Sequence, residues 1–172
     1  MNTTTLDELH TARLRLRRMR AGDEGELTRM HGDERVMATL GGVRSAEQTA
    51  HFLIGALAHW QHYGFGLWMA YDAPSGRFAG RGGLHHVVVE GQAEIEVAYA
   101  FLSDFWGQGF ATELARESVR VAFDVLKLTN IVCFTLTTNR ASQRVMEKVG
   151  FVYERNVVHA NLPHVLYRLK NT

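Results

Sequence analysis

The stretch AEIEVAYAFLSDFWGQGFATEL, residues 93–114, passes through three patterns in succession. Its first residues alternate. Glu94, Glu96, Ala98 and Ala100 fall on one face, and Ile95, Val97, Tyr99 and Phe101 on the other, which is the two-residue period of a strand. Gly107 and Gly109 then follow, two apart, each beside an aromatic residue. After them Leu114, Ala115, Ser118, Val119, Ala122, Val125 and Leu126 recur at helical spacing. At such a helix start the first backbone N–H groups lack intrahelical acceptors, and with the helix dipole they favour an anion. Glycine lets the chain turn sharply there and lets a phosphate approach without a Cβ in the way. Two readings stay open at this point. One is a pyrophosphate cradle made by main-chain amides of Gly107, Gln108, Gly109, Phe110, Ala111 and Thr112. The other is a plain strand-to-helix turn, because a short Gly-x-Gly is neither a Walker loop nor a full dinucleotide fingerprint.

Working outward, ARLRLRRMR alternates around Leu14 and Leu16 and predicts a first strand with arginines on its other face. A helix is expected over GDEGELTRMHGDERVMATLGG, stopped by Gly41 and Gly42. Ser45 and Gln48 match a capping box that opens a second helix ending near Gly64. FGLWMAY reads as a strand, and RFAGRGGLHHVVV with AEIEVAYAFL as a hairpin around Gly91. NIVCFTLTT is a strand, and NRASQRVMEKVG a helix capped by Asn139 and closed by Gly150. FVYERNVVH and HVLYRLK complete the order. The result is α+β or mixed α/β, with one strand–helix–strand crossover in the second half.

The length of 172 residues suits one domain. A hydrophobic share of 46% and a formal net charge of +1 give no global basic field for nucleic acid. The chain shows no signal-type apolar run and no stretch near the ~20 residues of a membrane helix. Cys133 is the single cysteine and cannot form an internal disulfide, so a cytoplasmic location is expected.

The motifs AEIEVAYAFLSDFWGQGFATEL and NRASQRVMEKVGF, in this element order, resemble the GNAT superfamily of acetyl-CoA-dependent N-acetyltransferases. TARLRLR is similar to the opening strand of its ribosomal-protein N-terminal, or Rim-type, branch. The resemblance covers nearly the whole chain, with Trp106 standing where many members carry Arg or Gln. It implies a single domain over 1–172, with a twisted, mostly antiparallel sheet of about seven strands flanked by about four helices. It implies acetyl-CoA as co-substrate and no metal. Backbone groups of Tyr99, Ala100 and Phe101 would pair with the pantetheine arm, amides from Gly107 to Thr112 would hold the pyrophosphate, and Asn139 would reach the arm while also capping its helix.

Amide formation from a thioester needs a neutral amine, a polarised carbonyl and a proton for the departing thiolate. An α-amine with a pKa near 7.7–8.0 needs only a weak base, unlike lysine at ~10.4. Glu96, beside small residues on the cofactor strand, is the candidate base, with a solvated strand face as the alternative for it and more so for Glu94. A strand amide near Tyr99 or Phe101 would meet the oxyanion. By the resemblance, Ser142 is the candidate acid near the coenzyme sulfur, with Tyr153 and Tyr167 as substitutes. His85 or His86 offers a further base or substrate contact, although paired strand histidines with no chemistry are the plainer reading. His59 with His62, and His159 with His164, lack a third ligand at recognisable spacing. Cys133 reads as core, so transfer is expected to be direct. The run Arg13, Arg15, Arg17, Arg18 and Arg20 reads as a solvated face or as contact with an anionic partner. Trp60, Phe65 and Trp68 read as core or as a pocket floor. The acceptor amine stays open between a protein N-terminus and a small molecule such as an antibiotic or polyamine. A non-catalytic acyl-CoA-binding module is the rival function, and monomer and homodimer both remain open.

Overall fold

The computed structural model describes residues 5–172. In chain order its elements are β1 (Glu8–His10), β2 (Leu14–Arg18), α1 (Glu24–His31), α2 (Glu34–Met37), α3 (Ala46–Tyr63), β3 (Leu67–Asp72), β4 (Phe78–Val89) and β5 (Gln92–Phe101). There follow α4 (Phe110–Arg120) with a π-helical turn at Val121–Val125, β6 (Asn130–Leu136), α5 (Arg140–Val149), β7 (Val152–His159) and β8 (Leu162–Lys170). The strands form a sheet of eight in the order β1-β2-β3-β4-β5-β6-β8-β7. β5 and β6 run parallel, joined by the crossover through α4, whereas β1–β2, β2–β3, β6–β8 and β7–β8 are antiparallel.

The mixed α/β class is the one expected, with two differences of count. β1 is an eighth strand, three residues paired with β2. That is too short for alternation to register in the sequence. The helix expected before Gly41 is two helices, because the Asp33 side chain accepts from the Arg35 amide and caps a new helix start.

Contacts gather into two compact units. One comprises the chain through Gly82 with Ala100–Phe110, the other Gly83–Tyr99 with Ala111–Thr172. In the first, Leu14 and Leu16 of β2, Leu27 and Met30 of α1, Trp60 of α3 and Trp68 of β3 are buried. Trp60 and Trp68 are therefore core, each indole N–H donating to a backbone carbonyl, of Leu67 and Leu6 respectively. The arginines of β2 are held one by one. Arg17 donates to Asp23 at 2.6 Å and to the Tyr71 hydroxyl at 2.7 Å. Arg18 lies over the Trp60 ring and reaches Asp7, and Arg15 lies over Tyr71.

The second unit is centred on Val89, Val132, Val157 and Leu166. Its two hairpins turn on two residues with left-handed backbone: Glu90 and Gly91 (φ 48° and 80°), and Ala160 and Asn161 (φ 49° and 61°). Two such residues make the type I′ turn whose twist matches that of the strands it joins.

Candidate active site

The glycine loop is shaped for close approach. Gly107 and Gly109 have φ of 70° and 83°, and a Cβ built on Gly107 would meet nothing within 4 Å. The backbone at Gly107 faces open space, whereas a Cβ on Gly109 would lie 3.4 Å from the Arg13 guanidinium. The open side at Gly107 is the geometry an oxyanion needs to reach main-chain amides. Arg13 sits beside it. Its guanidinium donates to the Gln108 carbonyl at 2.8 Å and lies 4.4 Å from the Phe110 ring centroid. Phe110 itself is buried and stacks on Phe101, with Phe105 edge-on. The Trp106 indole donates to the Phe101 carbonyl at 2.8 Å, so that carbonyl already has a partner.

In the second unit the candidate catalytic side chains come together. Glu96 is buried, and its Oε2 lies 2.8 Å from Nε2 of His85. Within the pair the His85 side chain is 31% exposed and that of Glu96 12%. The histidine is thus the member that solvent or a substrate meets first. The turn explains the meeting: counting back from Glu90 and Gly91, His85 on β4 falls directly across from Glu96 on β5. Glu94, two residues earlier, has a different fate. Its carboxylate takes two hydrogen bonds from Arg168, at 2.7 and 3.0 Å, and Arg168 also binds Glu154.

Tyr99 approaches Ser142 through its side chain. The phenol oxygen is 2.9 Å from Ser142 Oγ and 3.2 Å from the Ser142 carbonyl. Burial, followed by the neighbouring Cys133, pushes the Tyr99 pKa well up. Cys133 is buried and its thiol is likewise pushed well up, first by burial and then by the charge of Glu96. A thiol held protonated is a poor nucleophile. Asn139 caps α5: its Oδ1 accepts from the Ser142 amide at 3.2 Å, and its Nδ2 donates to Thr135 Oγ1 at 3.0 Å.

The remaining candidates are engaged elsewhere. The Tyr167 hydroxyl donates to Glu147, and that of Tyr153 to Asn156. His59 meets the Phe65 carbonyl, and His159 packs edge-on to His164 against Phe134. Among the described residues no group of three metal-ligating side chains gathers, and no helix is long and apolar enough to cross a membrane. Sequence reasoning missed the Tyr99 phenol, to which it gave only a main-chain role, and the hold of Arg13 on the loop.

With this geometry in hand, residues 13–152 match the acetyltransferase (GNAT) domain family. The chain belongs to the GNAT acetyltransferase family. Its relatives include the uncharacterized protein YkkB of Bacillus subtilis, 31% identical over 99% of both chains. An acetyltransferase structure from Agrobacterium tumefaciens superposes with a TM-score of 0.84 at 25% identity, covering 95% of this chain and 94% of that one. The ribosomal-protein-S5-alanine acetyltransferase of Vibrio fischeri shares the GNAT fold at a TM-score of 0.78 and 17% identity, covering 95% and 96%. GNAT enzymes move acetyl from acetyl-CoA to an amine, so this chain is an N-acetyltransferase.

Proposed function

We propose that the enzyme transfers acetyl directly from acetyl-CoA to a primary amine, with the His85–Glu96 pair taking up the amine's proton and Ser142, backed by Tyr99, supplying one to the departing sulfur. The observation that carries this reading is the pair itself. A half-exposed imidazole lies 2.8 Å from a buried carboxylate, the arrangement that orients a histidine and supports the imidazolium it becomes. The Glu96 carboxylate accepts the Nε2 proton, which leaves Nδ1 as the atom that takes a proton from a reacting amine. In the balanced reaction the C–N bond forms as the C–S bond breaks. The amine loses one proton and the thiolate gains one.

At the donating end, the Tyr99–Ser142 pair gives one proton to the sulfur, and the proton that His85 took from the amine, returned through solvent, restores it. Both phenol and alcohol stay protonated at neutral pH, as a donor must. The glycine loop suits a pyrophosphate, since its backbone faces open space at Gly107 and the Arg13 guanidinium lies beside it at Gln108 and Gly109. Main-chain groups of Tyr99, Ala100 and Phe101, amides of Gly107 to Thr112, and Asn139 are the proposed cofactor contacts.

The proposed acceptor is an α-amine, a sizeable fraction of which is neutral near pH 7.5, so that it needs only a weak base. The likeness to Rim-type enzymes supports a protein N-terminus as the source of that amine. The single thiol, buried and unpaired, suits a reducing cytoplasm. A thiol-release assay comparing ribosomal-protein N-terminal peptides with polyamines and aminoglycosides is the test. Peptide turnover at least about 10-fold above every small amine is expected. A higher rate on a small amine would move the acceptor to that class.

A further inference from the structure

Arg13 grips the glycine loop at three points, all within the first unit. Its guanidinium Nη1 donates to the Gln108 carbonyl at 2.8 Å. Its Nη2 stands 3.4 Å from the place that a Cβ on Gly109 would take. Its Cζ lies 4.4 Å from the Phe110 ring centroid, and that ring is buried, stacked on Phe101 with Phe105 edge-on. The grip comes from a firm base. Arg13 lies in the turn between β1 and β2, where the Leu14 amide donates to Thr11 Oγ1 at 3.0 Å and the Thr11 amide to the Leu14 carbonyl at 2.9 Å. The carbonyl of Arg13 accepts from the Ala73 amide at 2.8 Å, which ties the turn to the end of β3.

What the grip decides is the direction of one amide. A trans peptide is planar, so the carbonyl of Gln108 and the N–H of Gly109 point opposite ways. Holding the carbonyl on the Arg13 side turns the Gly109 N–H to the other side. Gly109, at φ 83°, cannot fix that orientation by itself, because glycine takes positive and negative φ about equally and leaves the peptide free to turn over. Turned over, the peptide would present a carbonyl oxygen where the loop now presents an N–H, and a carbonyl oxygen repels a phosphate. The same missing Cβ that admits an anion therefore leaves the loop in need of an external hold. Arg77, the other arginine near this loop, pairs with Asp104 in the open, with side chains 62% and 68% exposed, and so holds it weakly.

We propose that Arg13 is a positioning residue for the coenzyme: its hold on the Gln108 carbonyl keeps the Gly109 N–H turned toward the pyrophosphate and so sets the affinity for acetyl-CoA. The inference rests on the reading of the glycine loop as the pyrophosphate site. Apparent affinity falls in proportion to the fraction of molecules whose site is competent. A loop left competent roughly one-tenth of the time would bind the coenzyme about 10-fold more weakly. The complex, once formed, would react as before, because the part Arg13 plays ends with binding.

The experiment measures coenzyme A binding by calorimetry, beside steady-state kinetics on one amine, for wild type, Arg13→Met, Arg13→Lys, Gly107→Val and Arg18→Gln. Arg13→Met is expected to bind coenzyme A at least about 10-fold more weakly, with the acetyl-CoA KM raised alike and kcat within about threefold of wild type. Arg13→Lys can still donate to the Gln108 carbonyl but cannot lie flat on Phe110, and should fall between the two. Arg18→Gln removes a neighbouring arginine that meets Asp7 and Trp60 instead, and should bind as wild type does. In amide NMR spectra without ligand, the Gly107 and Gly109 signals should move in Arg13→Met and stay in place in Arg18→Gln, a local change that a general loss of stability does not produce. Gly107→Val puts a branched side chain on the open side of the loop and tests the loop itself. If it weakens binding while Arg13→Met binds as wild type does, the role of Arg13 is overturned and the loop reading stands. If neither variant weakens binding, the loop is not the pyrophosphate site and both fall. A drop in kcat of Arg13→Met as large as its loss of affinity would also overturn the proposal.

Discussion

His31 and His85 are the same side chain set against opposite charges. His31 is wholly enclosed, hydrogen-bonded to Arg81 and Thr49, and neighboured by two arginines that help keep it neutral to about pH 3. His85 is nearly a third exposed and lies against a carboxylate. The first is a fixed strut, whose proton cannot move without opening the core. The second has a partner that welcomes positive charge and an edge that a substrate can reach. The comparison teaches that a histidine's chemistry is set by the sign of its nearest neighbour and by access, both properties of the fold rather than of the residue.

The sharpest way to break the comparison is to neutralise the carboxylate behind His85. Glu96→Gln should lower kcat/KM roughly 100- to 10,000-fold at pH 7, the range of general acid–base catalysis. His85→Gln should do the same, and the double variant should be little worse than either alone, because the two act as a unit. Steady-state kinetics on one amine decides it. A His85→Gln enzyme within twofold of wild type would reduce His85 to a strut like His31.

At the other end of the reaction, Ser142→Ala should lower kcat roughly 10- to 1,000-fold with little change in acetyl-CoA affinity. Tyr99→Phe tests the hydrogen bond behind it, and a larger loss there than in Ser142→Ala would make the phenol the donor. Kinetics beside a direct binding measurement separates this from a weakened helix start, which would lower stability and leave kcat in place.

For His31 the expected effect is on stability. The folded state refuses a proton that the unfolded chain accepts below about pH 6.5, so its contribution is complete above that pH. Stability should then fall as pH drops from 6.5 toward 3, by up to about 1.4 kcal/mol per pH unit from this group. Denaturant titrations of wild type and His31→Gln across that window should show a shallower fall in the variant. Equal slopes would mean that His31 takes up its proton in the folded state.

Cys133→Ala is the smallest change expected, with activity within a few-fold of wild type. The expectation rests on its thiol, which is buried and held protonated. An acetylated Cys133 trapped by mass spectrometry would overturn direct transfer.

What was legible in the sequence is what depends on near neighbours. Ser45 with Gln48, and Asn139 with Gly150, announce helix ends because a cap acts over three residues, and both were found as read. Glu96 could be placed on the strand by alternation, yet its partner could not, since His85 is eleven residues away. A signal did exist, because a two-residue turn at Glu90 and Gly91 fixes which residues face one another. The Tyr99–Ser142 contact spans 43 residues and leaves no periodic trace. Nor did the run of arginines reveal its roles. Arg13 braces the glycine loop, whereas Arg17 and Arg18 are consumed by Asp23 and Asp7.

The tight turn at Glu90 and Gly91 also limits how this protein can diverge. Side chains alternate along each strand, so one residue inserted or lost at that tip would rotate β5 by one position relative to β4 and carry Glu96 to the face away from His85. Lineages descending from this chain can change that exposed tip among residues that tolerate a left-handed backbone, but cannot change its length. Surveys of natural variants should find the two-residue spacing kept wherever the pair is kept.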